Sequence, residues 1–327
     1  MSREFKIFLA TFAFSLLFWW GINTSEEILK SSFLVAQIAE SPPILVSQGI
    51  KAKEEINRPD DSQQFIRNQQ IEDLNLEAEA AISIFLDSSG KKKILFAKEP
   101  EKRLPIASLS KLMTAIIILE NDDLSQEITI SKETVDQESE LGNLKIGERF
   151  FVKDLLYLLL MESSNDAAFA LAEVQGIEDF VKLMNLKAAE LQLNNTHFAN
   201  PTGLDGNQAI NYSTPQDLVK LTEYLLQKPV IWKIISTPTA RFYSSDGVFH
   251  HQILNTNEFL GSRLVSWKNQ IIGGKTGWTP RAKGCLLLVL KSPIENGYLI
   301  NVILGSADRF GEMEKMVNWI YEAYQLQ

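Results

Sequence analysis

Ser108-Leu109-Ser110-Lys111 puts a serine hydroxyl and a lysine amine three residues apart. On a helix such residues share a face, so the amine reaches the hydroxyl and can serve as its base. A basic amine must be neutral part of the time. Burial beside Ile106 and Leu112, with the cation Lys275 as a neighbour, favours the neutral form. Ser163-Ser164-Asn165 offers a hydroxyl able to relay a proton and an amide that both donates and accepts, as a peptide bond requires. Lys275-Thr276-Gly277 adds a charge and a hydroxyl on a strand that a substrate can approach closely, which suits a carboxylate terminus. The chemistry is acyl transfer through a serine. Each motif alone is weak, and S-x-x-K, S-x-N and K-T-G in this order carry the argument.

Other chemistries find less support. Ser108 could be only an N-cap, and Ser164 or Asn165 could only cap a helix, but three ordered motifs are more than capping explains. A phosphate loop ending in Lys275-Thr276 needs glycine at position 269, where Asn269 stands. A Ser-His-Asp triad lacks a G-x-S-x-G elbow around Ser108, and His250-His251 reads as a surface or strand pair. One cysteine, Cys285, and three histidines make no cluster at zinc spacing, so no metal or other cofactor is expected. A net charge of −9 argues against a nucleic-acid partner.

The elements that must carry these residues are readable in outline. Residues 80–86 and 93–97 are strand-like and flank the turn-rich Asp87-Ser88-Ser89-Gly90, which predicts a hairpin. Leu112, Ala115, Ile116 and Leu119 predict a buried helix over 108–120. The junction between the apolar run 155–161 and a helix over 166–174 projects Ser163 and Asn165. Ile177, Phe180, Val181, Met184, Ala188 and Leu191 line one face of a further helix. Thr214-Pro215-Gln216-Asp217 opens another, which runs through Leu226. Strand-like runs at 271–274, 285–290 and 298–304 and a helix over 309–324 close the chain. Strands at both ends around a helical middle predict an α+β fold.

The N-terminus carries a different signal. Arg3 and Lys6 precede the uncharged run 7–25, which as a helix spans roughly 28 Å, close to the ~30 Å core of a bilayer. No A-x-A cleavage pattern follows it, so residues 1–25 are expected to remain as a membrane anchor. Basic residues before the run and Glu26 and Glu27 after it place the rest outside the cytoplasm. Residues 26–79 read as a polar tether, most clearly over 40–79, and residues 80–327 as the catalytic domain.

From about Ala80 onward the sequence resembles the low-molecular-mass penicillin-binding proteins, the serine D-alanyl-D-alanine carboxypeptidases. Pro105-Ile106-Ala107-Ser108-Leu109-Ser110-Lys111-Leu112-Met113-Thr114 is similar to the family's nucleophile segment, and Ser163-Ser164-Asn165-Asp166-Ala167-Ala168 to its second motif. Asn195-Thr196-His197-Phe198-Ala199-Asn200-Pro201-Thr202-Gly203-Leu204-Asp205, Tyr212-Ser213-Thr214 and Gly274-Lys275-Thr276-Gly277-Trp278-Thr279 also resemble family stretches. The resemblance implies the penicillin-recognising transpeptidase-like fold, an antiparallel sheet flanked by helices with a helical subdomain. It implies Ser108 as nucleophile on a terminal D-Ala-D-Ala, Lys111 as its activator and Ser163 as relay. Asn165 would hold the peptide amide and Lys275 with Thr276 the carboxylate, while the backbone N–H groups of Ser108 and Trp278 form the oxyanion hole. The implied partners are peptidoglycan stem peptides and covalent β-lactams, met in the cell envelope.

Departures from the family are Ser164, where glycine is frequent, and Trp278, where histidine or tyrosine is frequent. Many relatives carry a further C-terminal domain and anchor, and here the N-terminal helix is expected to replace that anchor. Three alternatives stand beside the carboxypeptidase. A β-lactamase would need a water-activating carboxylate, and Glu190-Leu191-Gln192-Leu193-Asn194 fits its E-x-x-L-N segment only superficially. A DD-endopeptidase on cross-linked peptides uses the same nucleophile. A catalytically silent wall-binding scaffold is disfavoured by the intact Ser108, Lys111, Asn165 and Lys275.

Overall fold

A computed structural model describes residues 65–325, with 138–141, 207–209, 262 and 294–295 left aside. The run 7–25, expected as an anchor, lies outside the described residues. Among those residues no helix is long and apolar enough to cross a membrane.

Five strands form one antiparallel sheet: β1 (Ala80–Asp87), β2 (Lys92–Lys98), β3 (Ile271–Thr279), β4 (Lys283–Lys291) and β5 (Gly297–Ser306). Their order is β2-β1-β5-β4-β3, with the N-terminal hairpin joined to the C-terminal strands through β1 and β5. In β4 Cys285, Leu287 and Val289 enter one hydrophobic core while Leu286, Leu288 and Leu290 enter another. Side chains alternate across a strand, so a sheet covered on both faces reads as the continuous apolar run seen here. The polar interruption is satisfied within the sheet: Ser83 donates to Asn301 Oδ1 at 2.7 Å, and Asn301 Nδ2 donates to Leu288 O.

Besides a single-turn helix at Lys132–Val135, the helices are α1 (Lys111–Asn121), α2 (Val152–Tyr157), α3 (Asn165–Glu173), α4 (Ile177–Glu190), α5 (Pro215–Leu225), α6 (Pro229–Ile235) and α7 (Arg309–Ala323). From Lys111 to Ile118, α1 is buried on every side, more than the expected stripe. A 3₁₀ turn over Ala107–Ser110 precedes it, so the helix starts three residues later than the spacing suggested. Hydroxyl caps stand at α3 and α5, where Ser164 Oγ accepts from Ala167 N and Thr214 Oγ1 from Asp217 N. The expected hairpin, the helices and the closing strands are all present, and the architecture is α+β. A hairpin of Thr239–Tyr243 with Phe249–Leu254, and α6 before it, were not anticipated.

Residues 65–79, read as the end of the tether, pack onto the outer face of the sheet. Phe65, Leu76 and Ala78 are buried against the α7 side. Backbone groups follow them: Asn68 N donates to Ala323 O, and the Glu312 carboxylate accepts from Ala78 N. Scattered apolar residues without a period hid this segment in the sequence.

Candidate active site

Ser108 sits in the 3₁₀ turn before α1, half-buried, while Lys111 at the first turn of α1 is fully buried. Lys111 Nζ donates to Asn165 Oδ1 at 2.7 Å and to Thr202 O at 2.6 Å, and lies 3.0 Å from Ser108 Oγ. Burial pushes the Lys111 ammonium down to about 7. Near neutrality a substantial share of this amine is therefore uncharged, with a lone pair able to accept the Ser108 proton.

Ser163 follows a single π turn, Leu158–Glu162, that continues α2, and its backbone is left-handed with φ 67°. This break in the helix is the junction expected between 161 and 166. Ser163 Oγ accepts from Lys275 Nζ at 2.7 Å. Lys275 and Thr276 lie in β3, an edge strand, and both are buried. Burial, then the charges of Lys111 and Arg309, holds the Lys275 ammonium well below its usual range. The acceptors of the two amines are hydroxyls, an amide oxygen and carbonyls, so an incoming carboxylate would supply the negative charge that favours a protonated amine. Thr276 Oγ1 is 2.6 Å from Thr256 Oγ1.

The three motifs thus meet, joined through Lys111 to Asn165 and through Lys275 to Ser163. A Cβ on Gly277 would come within 3.1 Å of Ser108 N, so β3 runs directly against the turn that carries Ser108. Trp278, the next residue, leaves its side chain 63% exposed at the cleft edge. Glu190 does not join the site: it is exposed and pairs with Lys187 at 2.7 Å. The Cys285 thiol is buried and pushed up to about 12 by that burial, which leaves it inert.

Two groups escaped sequence reasoning. Thr202 contributes only its carbonyl, aimed at Lys111 by the loop 199–204. Asn200 Oδ1 accepts from Gly203 N and Thr202 Oγ1, and Asn211 ties Ala199 and Asn200 down. The quoted Asn200-Pro201-Thr202-Gly203 string was the available signal. Thr256 has no such signal, since no motif spacing links it to Thr276.

A model of the D-alanyl-D-alanine carboxypeptidase family, peptidase S11, matches residues 66–308. The D-alanyl-D-alanine carboxypeptidase DacF of Bacillus subtilis is 34% identical over 262 residues, covering 76% of this chain and 63% of that protein. The chain therefore spans just under two thirds of the length of that relative. A D-alanyl-D-alanine endopeptidase of Escherichia coli is 33% identical over 236 residues, covering 70% of this chain and 73% of its own. The crystal structure of a Mycobacterium tuberculosis D-alanyl-D-alanine carboxypeptidase superposes with a TM-score of 0.69 at 27% identity, over 79% of this chain and 96% of that one. The fold is the one the motif resemblance implied.

Proposed function

The chain belongs to the D-alanyl-D-alanine carboxypeptidase family, and we propose that it removes the terminal D-alanine from peptidoglycan stem peptides through an acyl-enzyme on Ser108. The observation that carries this reading is the 3.0 Å contact between a half-buried serine hydroxyl and a fully buried lysine amine held at about 7. Lys111 takes the proton as Ser108 Oγ bonds to the carbonyl carbon of the penultimate D-alanine. The backbone N–H groups of Ser108 and Trp278 receive the developing oxyanion. As the C–N bond breaks, the proton returns through Ser163 to the leaving amine, and D-alanine departs. Water then cleaves the ester by the reverse sequence of proton transfers. Asn165 holds the peptide amide, and Lys275 with Thr276 holds the carboxylate, whose charge favours the protonated Lys275 amine.

The work is done in the cell envelope, with the run 7–25 as a cytoplasmic-membrane anchor and the domain outside. β-Lactams acylate the same serine. A second reading, endopeptidase action on cross-linked peptides, is favoured by the Escherichia coli relative and changes only the leaving group. Intact mass of the full chain after incubation with benzylpenicillin tests the nucleophile. A persistent adduct on the parent and none on Ser108→Ala is expected, and a folded parent that gains no mass overturns the reading.

A further inference from the structure

His250 and His251 are chain neighbours on a strand, where successive side chains normally point to opposite faces. Here their Nδ1 atoms are 2.6 Å apart. The cause is a bulge: Phe242 pairs with His251 and Tyr243 with Phe249, leaving His250 as the extra residue. Bulges re-aim side chains and are frequent beside active sites. His251 Nε2 then lies 3.2 Å from both carboxylate oxygens of Glu162, and His250 Nε2 lies 3.3 Å from Glu148 Oε2. The rings are packed edge-on against Phe242 and, for His250, Phe150. They line a cavity of about 730 Å³ whose other charged groups are Lys145, Glu148, Arg149 and Asp246.

Glu162 is the buried last residue of the π turn, directly before Ser163. That turn is an uncommon structure leading into a left-handed non-glycine residue, Ser163, which persists only where its surroundings hold it. Ser164 N, just past the turn, donates to Leu158 O, and Thr256 N, just past the hairpin, donates to Met161 O. The Glu162 carboxylate, accepting from His251 Nε2, is a side-chain tie from the same hairpin. For that donation His251 offers its Nδ1 lone pair to the Nδ1–H of His250, whose Nε2 is buried without a hydrogen-bond partner among the described residues.

We propose that His250, His251 and Glu162 form a clamp on the turn that presents Ser163, with His251 and Glu162 as positioning residues for the proton relay. The relay role of Ser163 rests on the function proposed above; the clamp does not. The test uses full-chain His251→Ala and His251→Gln, the glutamine keeping a donor for Glu162. Amide hydrogen exchange is followed over residues 158–164, and benzylpenicillin acylation is resolved into a non-covalent dissociation constant and a rate constant. In His251→Ala, exchange over 158–164 should rise at least tenfold. Its acylation rate constant should fall about tenfold while the dissociation constant stays within twofold, and His251→Gln should recover most of both losses. Unchanged exchange in His251→Ala overturns the clamp. Faster exchange with a parental acylation rate overturns the positioning role. A parent that penicillin does not acylate refutes the proposed function instead, and the exchange measurement still decides the clamp.

Discussion

In the proposed mechanism Lys111 is the residue on which the chemistry turns, because its charge state would set whether Ser108 can be deprotonated. Burial brings it down to about 7, and only the neutral amine accepts a proton. The sign follows: below about 7 the neutral fraction, and with it the rate, rises about tenfold per pH unit, and above it the rate levels off. Benzylpenicillin acylation rates measured by rapid quench across pH 5 to 9 should trace that curve, and a flat profile would assign the base elsewhere. Arginine stays charged throughout, so Lys111→Arg should slow acylation by at least about 10²-fold in the same assay. At this scale the three motifs were legible because chemistry constrains residue type. The Thr202 carbonyl was not, since every residue has one, and Thr256 was not, since only the fold brings its hydroxyl to Thr276.

Elements matter here as devices for aiming. Gly203 has φ +87°, and a Cβ there would lie 2.2 Å from Ala107 O and 2.9 Å from Ser108 N, so the loop 199–204 presses backbone to backbone on the turn that carries Ser108. Gly203→Ala should cost about 2–4 kcal/mol in denaturant unfolding and slow acylation more than tenfold. Gly176, with φ +82° and nothing within 4 Å, is the comparison: Gly176→Ala should cost only the left-handed strain of about 1–2 kcal/mol and leave acylation unchanged. Strongly periodic elements such as α4 were readable from their stripe. The hairpin Thr239–Leu254 was not, because of its strand residues only Phe242 and Ile253 are buried, too few to show a period of two. The start of α1 slipped because a 3₁₀ turn and an α-helix place near residues on similar faces.

The described residues form a sheet between two cores, and their N-terminal margin was the part least visible in the sequence. The Phe65 and Phe85 rings lie 4.3 Å apart at a tilt of 35°, and Trp319 and Lys315 of α7 donate to the carbonyls of Glu72 and Asn75. A chain beginning at Ala80 uncovers this face. It should lose at least about 3 kcal/mol against one beginning at Phe65, judged from large apolar side chains removed from cores. Equilibrium denaturation of the two chains measures the difference, and equal stabilities would show that residues 65–79 only lie on the surface. Family membership carries the fold, but which peptide bond the molecule cuts rests on the cleft. The most direct measurement is free D-alanine released by the full chain from a soluble stem pentapeptide ending in D-Ala-D-Ala, beside Ser108→Ala. Multiple turnovers by the parent and none by the variant are expected; a folded parent that releases no D-alanine, or a variant that releases as much, contradicts the account.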